Sequence, residues 1–273
     1  MGFRLALAQM LVVGGEPERN LAHAEKLIAQ AAREGAAIVL LPETMDLGWT
    51  DPCARRLAQS VASGSTCMRL RTAARRHGVL VCAGITERDG PRVFNSAVLI
   101  NGDGEVLGVH RKLNELDIGH ACYDQGDRLG VYAADLGVIG LMICSDALTE
   151  GESVSRALCY MGADVILSPS AWAVPSDSDA SHEPYGALWR DAYAPVAKAF
   201  SVWIAGVSNV GVIAGGPWAG RHCIGSSIVI SADGDEVLTG PYGVSAEALL
   251  YVDVAPVARP ARGADWASYR KPQ

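Results

Sequence analysis

Residues 93–110, VFNSAVLI followed by NGDG and EVLGVH, decide the fold. Val93 to Ile100 is an extended apolar run, and Asn101-Gly102-Asp103-Gly104 is a cluster of turn formers. Glu105 to His110 is a second extended run, so the whole reads as a β-hairpin. The preceding residues follow another rhythm. Phe3 to Leu11 reads as a strand. Pro17 to Gly35 reads as a helix with Leu21, Ala24, Leu27, Ile28 and Ala31 on one face. Ala36 to Leu41 is continuously apolar, as a strand covered on both faces should be. Leu57 to His77 reads as a second helix stopped at Gly78, and Val79 to Thr86 as the next strand. Uninterrupted alternation would predict a parallel barrel or a doubly wound sheet. The hairpin breaks it and points to two mixed sheets facing each other, with helices outside.

The rest of the chain agrees. Val138 to Ile143, Ala163 to Leu167 and Val202 to Val207 read as buried strands, with helices from Ser153 to Met161 and Tyr185 to Phe200 between them. The end is strand-rich, at Ile224 to Ser231, Glu236 to Gly240 and Leu249 to Val254. An irregular tail is expected from about residue 256. No Pro- or Ser-rich linker divides the 273 residues, so residues 1–273 are expected to form one domain. A chain of this length can bury roughly 70–75% of its unfolded surface.

Composition narrows the function. A formal net charge of −7 speaks against a nucleic-acid partner or an anionic membrane surface. No stretch reaches 18 uninterrupted apolar residues, so no membrane span is expected. The first residues, MGFRLALAQMLVV, read as a buried first strand in preference to a signal peptide. Seven cysteines without a CxxC pair fit core positions in a reduced compartment, and a cytoplasmic location is expected. His182-Glu183 is not part of an HExxH motif, and His120 with Cys122 is too few ligands for zinc. No metal or cofactor is expected.

Three polar residues follow apolar runs and so stand at strand ends, where α/β proteins place ligands. Glu43 follows AAIVLLP, Lys112 follows GEVLGVHR, and Cys144 follows GVIGLMI. Singly, a glutamate or lysine there is ordinarily solvated and a cysteine packed. Together they form a usable set. A thiol attacks as its thiolate, a partly buried carboxylate can take the proton and return it, and an ammonium stabilises a developing oxyanion. Separations of 69 and 32 residues do not by themselves bring the three together.

The segments LLPETMDLGW, HRKLN and GLMICSDALTE resemble, in order, the three signatures of the nitrilase superfamily, the carbon–nitrogen hydrolases. Flanking stretches such as AQM, NSAVLINGDGEVLG, GADVILSPSAW and CIGSSIVISADGDEV extend the likeness over most of the chain. The resemblance implies an α/β fold, a four-layer αββα sandwich, commonly paired into a homodimer. It also implies a catalytic triad of Glu43, Lys112 and Cys144, with the backbone N–H of Ser145 completing an oxyanion site. The implied chemistry is thiol-dependent hydrolysis of a non-peptide carbon–nitrogen bond through a Cys144 thioester. A small amide is the expected substrate; the chain is shorter than typical nitrile-hydrolysing members. Nitrile or N-carbamoyl hydrolysis, acyl transfer from the same thioester, and a non-catalytic binding protein of the same fold are the alternatives.

Two departures bear on the site. Many members have Tyr-Asp after the cysteine, whereas this chain has Ser145-Asp146. Many also carry a second glutamate in the loop after the lysine, where this chain reads LNELDIGHACYDQGD. Glu115 stands only three residues past Lys112, an early position for that role. His120 is therefore the expected replacement, with Tyr123 nearby and Glu115 as the rival. Trp49 and Trp172 are the further substrate-binding candidates, each placed shortly after a motif or strand.

Overall fold

The computed structural model describes residues 2–178 and 186–258. The tail beyond residue 258 lies outside the described residues, as do Tyr185, His182 and Glu183. The first sheet contains β1 (Phe3–Gln9), β2 (Ile38–Leu40), β3 (Leu80–Asp89), β4 (Arg92–Ile100) and β5 (Val106–Arg111). Strands β6 (Val131–Ala134), β7 (Gly137–Leu141) and β8 (Val165–Ser170) belong to the second sheet. Strand β9 (Ala173–Val174) leaves it, β10 (Trp203–Ser208) returns, and β11 (Val210–Val212) and β12 (His222–Ile224) join β9 in a small third sheet. Strands β13 (Ile228–Ile230) and β14 (Glu236–Thr239) complete the second sheet, and β15 (Ala248–Val254) closes the first. The helices are α1 (Pro17–Arg33), α2 (Ala54–Leu57), α3 (Ser65–His77), α4 (Ser153–Met161) and α5 (Gly186–Phe200).

Both large sheets are mixed, in the orders β15-β1-β2-β3-β4-β5 and β14-β13-β10-β8-β7-β6. In the first, β1, β2 and β3 are parallel and the hairpin strands β4 and β5 are antiparallel, as the sequence around residues 93–110 predicts. Side chains alternate between two cores, as the period of two along a strand requires. Ala6, Ala8, Val39, Val81 and Val98 face one way, onto Leu21 and Ile28 of α1 and Leu70 of α3. Leu5, Leu7, Ile38, Leu40 and Leu99 face the other way, in one cluster with Ile139, Leu141, Val165, Leu167 and Ile204 of the second sheet. Leu158 of α4 and Val196 of α5 belong to that cluster too. The result is the αββα sandwich. Each of these Val, Leu and Ile side chains stabilises by roughly 1.5–3 kcal/mol when fully buried.

Three expectations change. The second helix begins at Ser65, not Leu57, because Gly64 is extended and the Gln59 side chain caps the start. Gln59 Oε1 accepts from Thr66 N at 3.1 Å and from Ser65 Oγ at 3.0 Å. The run Ile224 to Ser231 is two strands of different sheets, split where Gly225 and Ser226 take positive φ. Strands β6, β9 and β11 are short additions that the apolar pattern did not announce.

One contact fixes how the chain leaves β2. The segment from Pro42 to Met45 lies against Gly84 of β3, with Gly84 N donating to Pro42 O at 3.1 Å and Met45 N to Gly84 O at 2.8 Å. A Cβ at position 84 would lie 2.5 Å from Glu43 Cα and 2.6 Å from Pro42 O. The turn continues through Thr44 at φ +40°. Asp46 then accepts from Leu47 N and from both Thr86 N and Thr86 Oγ1, and burial raises its pKa to about 6. Gly84→Ala must push this segment off the strand. It should lower stability by about 1–3 kcal/mol or more, the scale of overpacking a tight core. Denaturant unfolding checks this; an unchanged midpoint would mean the segment can slide without cost.

Candidate active site

Cys144 stands just beyond β7, where the chain turns from strand into a 3₁₀ helix over Cys144–Leu148. Its φ is +46°, a left-handed conformation that non-glycine residues seldom adopt. The strain is held by neighbours. Cys144 N donates to Ser168 Oγ at 3.2 Å, and Tyr193 of α5 donates its hydroxyl to the same oxygen at 3.2 Å. Ser145 is buried, and its side chain donates to Asn114 O while its carbonyl accepts from Asn114 Nδ2, both at 2.6 Å. Its backbone N–H lies in the first turn of the helix, where amides have no intrahelical acceptor.

Asp146 joins this elbow to the end of β5. It is fully buried and accepts four hydrogen bonds. Oδ2 accepts from Ile143 N at 2.9 Å and from His110 Nε2 at 2.7 Å. Oδ1 accepts from Leu113 N at 3.0 Å and Asn114 N at 2.8 Å. Burial alone would raise its pKa; His110 and these backbone amides outweigh burial and hold it below the usual aspartate value. Lys112 lies between the two anchored stretches, so the cysteine elbow and the lysine loop share one fastening.

Around Lys112 the structure gathers Glu43, Glu115 and Asn95, all buried. Lys112 Nζ donates to Glu43 Oε1 at 2.7 Å and to Glu115 Oε1 at 3.2 Å. Asn95 Nδ2 donates to Glu43 Oε1 at 2.6 Å and to Glu115 Oε2 at 3.0 Å. Glu43 Oε2 has no hydrogen-bond partner although it is buried. Burial raises the Glu43 carboxyl, Lys112 opposes the rise, and Glu115 adds to it. Burial lowers the Lys112 ammonium, but Glu43, Glu115 and the Cys144 sulfur more than compensate, leaving it firmly cationic. The Cys144 thiol is pushed well above its ordinary value by burial and by Glu43, with Lys112 opposing. Burial and Glu43 thus disfavour the thiolate, and ionisation calls for an acceptor for the proton.

The loop after Lys112 differs from its sequence reading. Glu115, not His120, reaches the lysine, while the His120 side chain is exposed on the 3₁₀ helix Asp117–Ala121. Three residues look too few because side chains three apart on a strand face opposite ways. Here β5 has ended, and the bonds from Leu113 N and Asn114 N to Asp146 bend the chain so that residue 115 returns to the face of residue 112. Gly119 is matched to this turn: a Cβ there would lie 2.6 Å from Glu115 Cδ.

Trp49 is buried with its ring centroid 5.6 Å from Lys112 Nζ, and it packs edge-on against Trp218. Tyr123 is buried, its hydroxyl accepting from Thr50 N at 3.1 Å. Trp172 stacks on Trp189 at 4.6 Å within the inter-sheet core. A cavity of about 10 Å³, room for one water, borders Trp49, Asp51, Asn209 and Cys223. Among the described residues no group of three or more His, Cys, Asp or Glu side chains is arranged to hold a metal, and no helix is long and apolar enough to cross a membrane. Asn95, Asp146, His110 and Ser168 were not singled out by sequence reasoning. Polar residues inside apolar strands (Asn95 in VFNSAVLI, His110 in VLGVH) were the available signal.

The αββα sandwich of two mixed sheets thus carries a buried cluster of Glu43, Lys112, Glu115 and Asn95 at its strand ends, near Cys144. The chain belongs to the carbon–nitrogen hydrolase family, whose pattern it matches over residues 4–262. It is 36% identical over 177 residues to a nitrilase of Pyrococcus abyssi, covering 63% of this chain and 66% of that protein. It is 30% identical over 191 residues to a chloroplastic omega-amidase of Arabidopsis thaliana, covering 62% and 52%. These matches span about half to two thirds of the relatives' lengths. Among solved structures, a carbon–nitrogen hydrolase from Helicobacter pylori superimposes with a TM-score of 0.82 at 22% identity, covering 93% of this chain and 89% of that one. An amidase from Nesterenkonia superimposes with a TM-score of 0.78 at 23% identity, covering 98% and 93%. These two likenesses establish the shared fold.

Replacing Asp146 by Ala leaves His110 Nε2 and three amides without their acceptor. Each buried donor left unsatisfied costs about 1–3 kcal/mol, so Asp146→Ala should be strongly destabilised. The pH dependence carries a sign. Because the folded pKa lies below the ordinary 3.8, the Asp146 contribution is present above that value and is lost as pH falls through the lowered one. Urea unfolding between pH 3 and 7 should therefore show a smaller acid-side loss in Asp146→Ala than in the parent; parallel curves would remove Asp146 as the fastening.

Proposed function

We propose that the protein hydrolyses a small non-peptide amide through a thioester on Cys144, with Glu43 as general base and acid and Lys112 as oxyanion donor. The observation that carries this reading is the buried, unpartnered Glu43 Oε2 beside a lysine held by two carboxylates, all within electrostatic reach of the Cys144 sulfur. In the first step Cys144 Sγ bonds to the amide carbon and its proton passes to Glu43. The carbonyl oxygen becomes an oxyanion facing Lys112 Nζ and Ser145 N–H. Lysine has three N–H groups, and two are taken by Glu43 and Glu115, which leaves one for that oxygen. Collapse breaks the C–N bond, and Glu43 protonates the departing amine or ammonia. Glu43 next takes a proton from water as the hydroxyl oxygen adds to the thioester. The C–S bond then breaks, the acid leaves, and the thiol recovers its proton. No step calls for a metal or cofactor.

Glu115 takes the second-glutamate role in this reading, orienting Lys112, and His120 has none. Trp49, Tyr123 and Trp172 are proposed to shape the pocket, with Trp49 nearest the chemistry and Trp172 bracing the wall. Relatives named omega-amidases support an amide substrate, and the relative named nitrilase keeps nitriles as a second reading. The core shared by both large sheets supports one domain over the described residues.

Cys144→Ala should abolish ammonia release from primary amides and the acyl adduct seen by intact mass. Glu43→Gln and Lys112→Ala should each lower the rate by at least about 10²-fold, the low end for one acid–base partner. Glu115→Gln should lower kcat/KM while His120→Ala leaves it unchanged. Cys144→Ala retaining more than about a hundredth of the rate, below the effect of a single acid–base partner, would defeat the assignment. Faster conversion of a nitrile than of its matching amide would select the second reading.

We also propose a homodimer, supported by the exposed apolar Tyr160 and Met161 on α4 and Leu188 on α5, a face that a second copy would cover. Two-fold pairing is the commonest homo-oligomer. Sedimentation should give a species of twice 28.7 kDa; a monomer alone at micromolar concentration removes the proposal.

A further inference from the structure

Asn95 is the one uncharged member of the buried cluster, and its place in it is unusual. Its backbone oxygen accepts from Lys112 N at 2.9 Å, which fixes β4 beside the lysine. Its side-chain nitrogen lies 2.6 Å from Glu43 Oε1 and 3.0 Å from Glu115 Oε2. An amide nitrogen carries two N–H groups, so each carboxylate receives one. The opposite orientation would aim Oδ1 at two carboxylates, and the network therefore assigns the flip. With Lys112 bridging the same two carboxylates from another side, the four groups close a ring: Glu43, Lys112, Glu115, Asn95, and back to Glu43.

The ring treats the two oxygens of Glu43 unequally. Oε1 accepts from both Lys112 and Asn95, while Oε2 accepts from nothing. A proton arriving on Oε1 would have to displace a donor, whereas one arriving on Oε2 displaces none. We infer that Asn95 is a positioning residue: by donating to Glu43 and Glu115 at once, it holds both carboxylates around Lys112 and reserves Glu43 Oε2 as the oxygen that exchanges protons with Cys144. This rests on the proposed role of Glu43 as the base. A neutral donor suits the task. A second cation at position 95 would stabilise ionised Glu43 further and weaken it as a base, and an apolar residue would leave Oε1 held by the lysine alone.

The charged and titratable groups facing Glu43 are Lys112 and Glu115 from the loop after β5, Cys144 from the elbow, Tyr123 from the following loop and Cys223 from β12. Of these, Lys112 favours the ionised carboxylate and Glu115 opposes it, and Asn95 adds a favourable hydrogen bond. Removing Asn95 therefore raises the pKa of Glu43.

The test is the pH profile of Asn95→Leu, a near-isosteric change that removes both donors. The acid limb of kcat/KM should move upward by about one pH unit, the scale of one hydrogen bond to a charged group. The pH dependence of Cys144 alkylation by iodoacetamide, followed by peptide mass, should move the same way. Asn95→Ser, smaller and free of overpacking, replaces it in both measurements if Asn95→Leu fails to fold. A uniform loss of rate with the acid limb in place would reduce Asn95 to a structural residue and overturn the inference. The same profiles on Glu43→Gln separate the two levels. If the acid limb survives there unmoved, the base reading itself fails, whatever Asn95 does.

Discussion

A single buried carboxylate holds the site together. Asp146 accepts from Ile143 at the end of one sheet and from His110, Leu113 and Asn114 at the end of the other. A buried anion without partners would be expelled or neutralised; four donors make it stable and make its surroundings rigid. The strained φ of Cys144, two residues before it, depends on that rigidity, since a left-handed non-glycine residue persists only where its neighbours over-determine it. The lysine loop depends on it equally. Cys144 and Lys112 follow strands of different sheets; the two Ser145–Asn114 hydrogen bonds also join their stretches, and Asp146 adds the buried acceptor that ties the end of one strand to the loop after the other.

On this fastening sits a cluster whose charges do not cancel. Two glutamates and one lysine leave an excess acidic group beside a thiol. Burial and Glu43 together raise the pKa of the sulfur, and burial with Glu115 raises that of Glu43 above an exposed carboxylate's. Lys112 opposes both effects, and burial outweighs it at both groups. The second carboxylate takes one of the ammonium's hydrogen bonds and adds to the rise of the first.

The large features of the fold were legible because burial leaves periodic traces. The run AAIVLL gave β2, the amphipathic spacing of Pro17 to Gly35 gave α1, and VFNSAVLI-NGDG-EVLGVH gave the hairpin. The boundaries that escaped were set by side chains from elsewhere in sequence. Gln59 caps α3 from six residues upstream of Ser65, and Gln9, 218 residues before Ser227, takes the amide that ends the break between β12 and β13. Glu43, Lys112 and Cys144, the residues proposed to react, were legible as polar groups ending apolar runs. Asn95 was not, since one polar residue within a strand has many explanations until its partners are seen.

Glu115 shows why spacing misled at one point. Sequence distance measures reach only while the backbone keeps its direction. A carboxylate three residues beyond Lys112 faces away if the strand continues and faces back if the chain turns, and the turn here is imposed from outside by Asp146. The turn also needs room. Glu115 folds its side chain over residue 119, where a Cβ would meet its carboxylate carbon at 2.6 Å, and that residue is glycine. An early glutamate and a later glycine thus form one solution in which the carboxylate enters from before the 3₁₀ helix and the helix leaves space for it. His120 is the residue next to that space. Its side chain is exposed, so the nearer carboxylate meets the lysine and the farther imidazole does not.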